Sequence, residues 1–439
     1  MKRKLLLLSA IVPLLLTSCE KEDSYFKQFS VSNIISDTGR VRVVDSLYGT
    51  VSPFDTQILL QLYSSPSNAI TFSQDFDFLI KKYHALFDRY YSYTIDGEKI
   101  NNVKTINDSY GKNEAIKVDD ILFETLKEAI EFTKETDGLF NIASGKLATL
   151  WANQITQAKS SDSYSQESYA AGRLIYHDPA DDVIQKATTC TPSADIIDEV
   201  LVLDPKNKTV TFKSFGGCDG KDNKAELTFG AVGKGRAVDL FIDNYSDYSI
   251  LINAGQSSVK TNKFKKGQEP WSLEIANPKF NEKMSILFDS YLVGSYFKVN
   301  SAEVYFRKGG NFNFSTSGYY NNYYQSYQTG KIRSHIVNPQ TGYSETTFDA
   351  VSVFTDNSTY GDMYSTALTN TKSIDEAQEL LAKLNKKFKQ NAVAFYIVKE
   401  GEKEIYYVPD SLKDVLQVKD KKKYNLNYDI VSEIRVIGE

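Results

Sequence analysis

The sequence predicts an α+β protein, because helical and strand-like patterns are interspersed along the chain without a fixed repeat. After Asp120, apolar residues recur at intervals of three and four, which is typical of an amphipathic helix, and Gly138 suits its C-terminal end. The β-branched and aromatic runs 200–203 and 209–212 flank a polar turn, which predicts a hairpin. The mixture therefore indicates several sheets packed with helices.

The same periodicities predict the other elements of the chain. Strand-like runs lie at 57–63, 249–253, 271–276, 311–315 and 350–355. Helical spacing predicts helices at 75–92, from 235 through 242, at 362–369 and at 374–388. Residues 160–195 lack a steady period, and we expect them to form an irregular or partly helical insertion.

Composition narrows the class of protein. Apolar residues make up 41% and charged residues 24% of the chain, as in ordinary globular proteins. A net charge of -5, mixed in sign along the chain, provides no basic face for nucleic acid. With three histidines a His-rich zinc or iron site is not expected, so a metal here would take oxygen ligands. Cys190 and Cys218 form an even pair whose bridging the sequence leaves open.

The first residues have the pattern of an export signal. A basic cluster at 2–4 precedes the apolar run 5–16, which is too short to span a membrane, and small residues then lead to Cys19. This pattern resembles a lipobox, in which the cysteine is acylated. We therefore predict a signal peptide at 1–18, lipidation of Cys19, a polar tether at 19–45, and an exported lipoprotein anchored at a bacterial membrane.

Four separate segments combine glycine, small residues and a polar group. Residues 230–237 form a glycine-rich turn at a helix N-terminus, a geometry that binds phosphate but is also common in plain tight turns. Residues 252–255 end a strand, and 334–343 place a histidine before a rigid turn. Asp362 and Thr366 would share one helix face and hold Mg²⁺, or serve instead as an N-cap and a helical hydroxyl.

Together and in this order, the segments resemble the ApbE family of FAD:protein FMN transferases. Residues 230–239 are similar to the family's Gly-Gly-Ile-Ala-Lys-Gly-Tyr-Ala-Val-Asp and 335–342 to its His-Ile-x-Asp-Pro-x-Thr-Gly. Asp362 and Thr366 match its Asp-x-x-x-Thr metal motif. Further similarity lies at 48–50, 136–147, 253–255 and 316–320, so that the likeness covers most of the chain.

The resemblance implies mixed sheets with helices enclosing a deep FAD cleft, formed by residues 46–390 and followed by a C-terminal strand and Lys-rich extension at 391–439. It implies Mg²⁺ bound by Asp362, Thr366 and a carbonyl near Gly233. FMN would pass from FAD to a threonine of an exported or membrane redox protein, with release of AMP.

The resemblance also implies roles for individual residues. His335 and Asp362 are the predicted catalytic residues, with His335 positioning groups or transferring a proton. Lys234 is expected to contact phosphate or flavin. The predicted FAD-binding residues are Tyr48, Gly49, Thr50, Asn141, Lys234, Asn253, Ala254, Gly255, Ser317, His335 and Thr341.

Three departures from the family pattern leave alternatives open. Thr228 replaces an acidic residue, Gln256 replaces a glycine, and Asn338 replaces an aspartate. The changed site is compatible with an FAD pyrophosphatase that yields FMN and AMP, or with a non-catalytic FAD-binding lipoprotein.

Overall fold

The computed structural model describes residues 25–35, 40–44, 50–162, 164, 174–219, 223–255, 257–265, 269–276, 302–308, 310–401, 403–418 and 433–438. Within these ranges the chain forms helices and several sheets, and the predicted α+β class is confirmed. The predicted leader and Cys19 lie outside the described residues.

The helices that the structure describes are numbered here in chain order. They are Pro66–Phe87 (α1), Val103–Asp108 (α2), Asp120–Glu135 (α3), Gly145–Lys159 (α4), Asp181–Thr189 (α5), Ile197–Val200 (α6), Gly233–Asn244 (α7), Ser358–Thr369 (α8) and Ile374–Phe388 (α9).

The strands are numbered in the same way. They are Tyr25–Val31 (β1), Ile34–Ile35 (β2), Val41–Val43 (β3), Thr50–Val51 (β4), Ile58–Ser64 (β5), Tyr93–Ile95 (β6), Glu98–Lys99 (β7), Ala115–Lys117 (β8), Ile175–Tyr176 (β9), Leu201–Asp204 (β10), Thr209–Phe212 (β11), Ser249–Ala254 (β12), Ser258–Thr261 (β13), Trp271–Ala276 (β14), Ala302–Lys308 (β15), Phe312–Gly318 (β16), Tyr323–Ser326 (β17), Ile332–Ser334 (β18), Ala350–Thr355 (β19), Val393–Glu400 (β20), Lys403–Pro409 (β21), Leu416–Val418 (β22) and Glu433–Ile437 (β23).

A nine-stranded sheet organises the molecule, in the order β1-β5-β12-β13-β16-β19-β20-β21-β23. One face packs against α1, α7, α8 and α9 through a large apolar cluster that includes Leu60, Phe241 and Leu368. The opposite face packs through Phe354 and Trp271 against the small sheet β14-β15-β22. Because both faces of the sheet are covered, β12 and β19 are buried along almost their whole length.

The N-terminal segment differs from the predicted tether. Residues Tyr25–Val31, within the predicted tether 19–45, form β1 and pair antiparallel with β5, from Tyr25↔Ser64 to Val31↔Ile58. The pairing satisfies backbone groups along one side of β5, which would otherwise be an open sheet edge. This part of the segment therefore belongs to the fold.

The predicted insertion 160–195 also contains ordered structure in its described part. β9 pairs in parallel with β17, and α5 spans Asp181–Thr189. Leu174 and Ile184 are buried with Trp151 and Tyr324 in a separate apolar cluster. The segment thus packs beside β17 and β18, which lead into residues 334–343, called the histidine turn from here on.

Residues after 390 contribute more than one terminal strand. β20 and β21 extend the main sheet as antiparallel strands, and β23 joins β21 in parallel. β22 completes the small sheet on the other face. The described parts of 391–439 are therefore built into the same sheets as the preceding chain.

Two helices begin earlier than the sequence predicts, because capping residues determine where they start. α1 was predicted at 75–92 but begins at Pro66, where the Ser65 side chain accepts a hydrogen bond from the Asn68 N–H. It ends at Phe87, because Asp88 is extended. α8 begins four residues before Asp362, with Asn357 as its N-cap. Asp362 is therefore inside the helix and is not its cap.

Cys190 and Cys218 are joined by a disulfide, which resolves the pairing that the sequence left open. The bond links the end of α5 to the segment before the glycine-rich turn. Among the helices in the described ranges, none is long and apolar enough to cross a membrane.

Candidate active site

A cleft of about 400 Å³ opens where the ends of several elements meet. Its walls come from the turn before β5, the end of α1, the start of α4, the segment 228–234, Gly255 after β12, β16, the turn that follows His335, and α8. Of the predicted site residues, Lys234, Gly255, Ser317, His335, Asp362 and Thr366 line it. The volume lies in the range of ligand-binding sites.

The glycine-rich turn leads directly into α7 and brings that helix against α8. A Cβ atom at Gly235 would lie 2.2 Å from the Ser358 carbonyl oxygen, so only glycine permits this backbone approach. The close packing lets the Gly235 N–H donate to Asp362 Oδ2 at 2.8 Å. The helix N-terminus and the carboxylate of Asp362 are thus joined directly.

Asp362 is nearly buried and well held. Oδ1 accepts a hydrogen bond from the Ser258 hydroxyl at 2.6 Å, and Oδ2 accepts the one from Gly235. Burial raises the pKa of Asp362, although Lys234 and these hydrogen bonds oppose the shift. Within the described residues, no basic side chain forms an ion pair with this carboxylate.

A buried ion pair supports the start of α8. Lys260 donates to Asp239 Oδ1 at 2.5 Å, while the same carboxylate accepts the N–H groups of Ser358 and Thr359. A carboxylate at a helix N-terminus is favoured by the unpaired N–H groups and the helix dipole. Asp239, the last residue of the motif 230–239, therefore fixes the helix that carries Asp362.

Hydroxyl groups lie beside this carboxylate on the cleft wall. Thr366 Oγ1 donates to the Asp362 backbone carbonyl at 2.9 Å, and it lies 3.4 Å from Ser317 Oγ. Ser317 Oγ is in turn 2.9 Å from Ser365 Oγ. Because Thr366 uses its hydroxyl proton in the hydrogen bond to the helix backbone, its oxygen can still accept from other donors or bind a cation.

Lys234 and His335 add one cation and one imidazole to the cleft. Both residues line the cleft together with Asp362. The positive charge of Lys234 lowers the pKa of both Asp362 and His335. The residue His335 is exposed at the surface of the cleft, but atoms of the surrounding cleft walls reduce the contact of its ring with water. This desolvation, with repulsion by Lys234 and Lys159, lowers the pKa of His335 to about 4, and a hydrogen bond with the Asn322 carbonyl opposes it.

A relay of polar side chains at the end of α1 escaped the sequence analysis. His84 Nδ1 accepts the Phe54 N–H at 3.0 Å, which requires the ring proton on Nε2. His84 Nε2 then donates to the Tyr93 hydroxyl at 3.0 Å, and Tyr93 donates to Asp88. In the sequence, nothing distinguishes His84 from the other residues of its predicted helix. Only the folded chain brings Phe54 and Tyr93 into contact with it.

Other predicted binding residues lie away from the cleft surface. Asn141 is buried, where it donates to the Pro192 carbonyl and accepts from the Ala143 N–H. Thr341 is exposed in its turn, and the cleft lining includes neither Asn253 nor Ala254 of β12. Gly233 lies under the rings of Phe54 and Phe87, whereas Ala231 of the same turn lines the cleft.

The predicted element 48–50 lies only partly within the described residues. Tyr48 and Gly49 lie outside the described residues, and Thr50 belongs to β4, which pairs with β2 in a separate sheet. Thr56, just before β5, packs against Gly255. A Cβ atom added to Gly255 would lie 2.3 Å from the Thr56 hydroxyl oxygen. The chain therefore meets the 253–255 segment just before β5.

Two of the departures from the family pattern have structural explanations. Asn338 is buried in the histidine turn, where it donates to Glu345 and accepts from the Gln340 N–H. Thr228 lines the cleft, and its hydroxyl oxygen accepts the Gly230 N–H at 3.4 Å. Gln256 lies outside the described residues.

The donors around Asp362 fit a hard cation. A nearly buried carboxylate without an ionic partner, a hydroxyl and nearby carbonyl groups form an oxygen-rich set, which suits Mg²⁺. No group of three or more His, Cys, Asp or Glu side chains with metal-binding geometry occurs in the described part of the chain. Any cation here would therefore depend on ligands besides acidic side chains, such as a hydroxyl, backbone carbonyls or substrate oxygens.

The glycine-rich turn, the buried Asp362 and the mixed sheets define an α+β protein with a cleft at the N-terminus of α7. The family model described as "ApbE family" matches residues 54–390, and the chain belongs to this family. The resemblance drawn from the sequence is thereby confirmed, although the match begins after residues 48–50.

Solved structures share this fold. The ApbE protein from Thermotoga maritima is 20% identical with a TM-score of 0.57, covering 86% of this chain and 98% of its own. The flavin transferase ApbE from Vibrio cholerae is 16% identical with a TM-score of 0.58, covering 89% and 99%. The flavinyl transferase ApbE from Pseudomonas stutzeri is 16% identical with a TM-score of 0.53, covering 86% and 94%. No curated protein matches the chain significantly.

Proposed function

We propose that this protein is a Mg²⁺-dependent FAD:protein FMN transferase, which moves FMN from FAD to a threonine of an exported or membrane redox protein and releases AMP. The observation that carries the proposal is the junction of the α7 N-terminus with the Asp362 carboxylate inside one cleft. Membership of the ApbE family, and the names of the solved relatives, support flavin transfer as the reaction.

The cleft offers a matching group for each part of the substrate. Backbone N–H groups at the start of α7 and the Lys234 ammonium suit a pyrophosphate. Asp362, Thr366 and a carbonyl of the segment near Gly233 would hold Mg²⁺, whose charge would offset that of the pyrophosphate oxygens. His335 is neutral near pH 7 because of its lowered pKa, so it orients groups by hydrogen bonds without adding charge.

The transfer is a substitution at the phosphorus on the riboflavin side of FAD. The hydroxyl oxygen of the acceptor threonine forms a bond to phosphorus while the bond to the AMP oxygen breaks. The hydroxyl proton leaves to a base, and AMP departs as the second product. Most of the protein's contribution is therefore positioning and charge stabilisation.

The first experiment follows both products at once. The purified full chain is incubated with FAD, Mg²⁺ and a flavin-acceptor domain, while AMP and acceptor-bound flavin fluorescence are recorded. AMP together with labelled acceptor supports the transferase. AMP with free FMN would instead identify the FAD pyrophosphatase, and bound FAD without AMP would identify a carrier.

We also propose that Cys19 anchors the protein to a bacterial membrane. The support is the lipobox-like sequence that ends at Cys19, after an apolar run too short to span. In cells fed a radiolabelled fatty acid, the wild-type protein should carry label and sediment with membranes. Cys19→Ala should lose the label, and label retained by that variant would contradict the proposal.

A further inference from the structure

The turn formed by Phe54 and Asp55 is a strained part of the cleft wall. Both residues have a φ of 53°, a left-handed conformation that is rare for a bulky side chain and costs about 1–3 kcal/mol. Hydrogen bonds hold the turn on both sides. His84 accepts the Phe54 N–H, and the Gly255 N–H donates to the Gln57 carbonyl at 3.0 Å. The fold thereby fixes where Asp55 stands.

In the relay behind the turn, the donor and acceptor roles of the hydrogen bonds are fixed. The Phe54 N–H can only donate, so the His84 tautomer is set, and the Nε2 proton is then directed to Tyr93. Asp88 closes the relay by accepting from the Tyr93 hydroxyl and from the Tyr90 N–H. A rigid support of this kind is what a precisely placed functional side chain requires.

Asp55 differs from the other acidic residues of the cleft in the hydrogen bonding of its carboxylate. Both oxygens of Asp88 and both oxygens of Asp362 accept hydrogen bonds. In the part of the chain that the structure describes, the Asp55 carboxylate has neither a hydrogen bond nor an ion pair, although it lines the cleft. Asp55 lines the same cleft as Lys234, His335 and Asp362.

We propose that Asp55 is the base of the transfer reaction. The role of Asp55 rests on the proposed function. As the threonine oxygen of the acceptor bonds to phosphorus and the bond to AMP breaks, the Asp55 carboxylate accepts the hydroxyl proton. The proton ends on Asp55 and returns to solvent after AMP leaves, so atoms and charge balance.

The two nearby candidates for a base differ in their affinity for a proton. Burial raises the pKa of Asp55, which favours the form that has taken up a proton. The walls of the cleft lower the pKa of His335, so imidazolium is disfavoured there. A base is most effective when its pKa approaches the working pH. The pKa of Asp55 is shifted towards neutral pH, whereas that of His335 is shifted away from it.

The test compares the wild type with Asp55→Asn and Asp55→Gly. Asparagine and glycine both accept a left-handed φ, so the turn is kept while the carboxylate is lost. With FAD and acceptor saturating, kcat for flavin transfer should fall about 100-fold or more in both variants. The FAD dissociation constant, measured by flavin fluorescence, should stay within about threefold, because the base acts only in the transition state.

Asp96→Asn is the matched control. Asp96 also has a positive φ, of 52°, but it lies in the β6–β7 turn outside the cleft and pairs with Arg40 on the surface. Its substitution should leave kcat unchanged. Added formate should restore part of the activity of Asp55→Gly, since a small carboxylate can take the vacated position.

The outcomes separate this inference from the proposed function. Wild-type protein that releases no AMP with acceptor present would refute the transferase itself. If the wild type is active and both Asp55 variants have a kcat within threefold of its value, the role of Asp55 is overturned. The proposed transferase activity would then still stand. Loss of FAD binding in both variants, with unchanged melting temperatures, would also overturn it, because Asp55 would then be a binding group.

Discussion

At the scale of single residues, Asp362 illustrates how a functional group opposes stability. Burial raises its pKa, so the folded protein holds a proton at this site over a pH range in which the unfolded chain has lost it. Stability therefore falls as pH rises through that range, and the cost is fully present above the pKa of the folded state. A bound cation would offset this cost.

Asp362→Asn should separate the two effects. The amide can still accept from the Gly235 N–H and donate to Ser258, so the unfolding free energy at about pH 8 should stay equal or rise. AMP release with Mg²⁺ should fall about 100-fold or more, because the proposed Mg²⁺ ligand would lose its negative charge. Denaturant titration and an AMP assay measure the two quantities. A less stable variant with full AMP release would contradict both expectations.

His335 should make the fold sensitive to acid. Its folded pKa is lowered to about 4, below the value of about 6.5 in an unfolded chain. Between these values the unfolded chain binds more protons here, so stability is lost as pH falls through this window. His335→Gln should show a smaller loss of unfolding free energy between about pH 7 and pH 5. Equal losses in both proteins would show that the ring is not desolvated in solution.

At the scale of elements, the contact between α7 and α8 determines the site. Gly235 permits the approach, Asp239 holds the first N–H groups of α8, and Asp362 receives the N–H of Gly235 in return. The motif 230–239 thus has two functions. Its first half faces the cleft, and its second half joins two helices.

Gly235→Ala should disturb this contact directly. The new methyl group would lie 2.2 Å from the Ser358 oxygen, so the helices must separate, at a cost of about 1–3 kcal/mol. Gly230→Ala is the matched control, because its methyl group would come no closer than 3.6 Å to Thr228. Thermal and urea unfolding should show a loss only for Gly235→Ala, and comparable stability of both variants would refute the close approach.

At the scale of the whole molecule, the disulfide ties the insertion to the segment that leads into the glycine-rich turn. Cross-linking chain positions 28 residues apart reduces the entropy of the unfolded chain, which stabilises the fold by about 3.5 kcal/mol. The Cys190→Ala, Cys218→Ala double variant should lose about this unfolding free energy. A reductant should destabilise the wild type and leave the double variant unaffected. If the reductant did not change the unfolding free energy of the wild type, this result would contradict the disulfide.

The sequence alone determined the fold class and much of the secondary structure. Periodicity placed β11, β14, β19 and α9 at their observed positions, because each has a clear apolar pattern between polar or capping residues. It also determined the order of the motifs, and with it the family, since those segments rely on local turn chemistry. Lys234, His335 and Asp362 were identified in this way, and all three line one cleft.

Only the tertiary structure decided which distant groups meet. The pairing of β1 with β5, the Cys190–Cys218 bond and the relay from Phe54 to Asp88 join segments that share no local pattern. The packing of Asn141 and the exposure of Thr341 likewise depend on neighbours from other elements. Local sequence controls backbone preference and amphipathic faces, whereas burial, electrostatics and hydrogen-bond partners are properties of the packed chain.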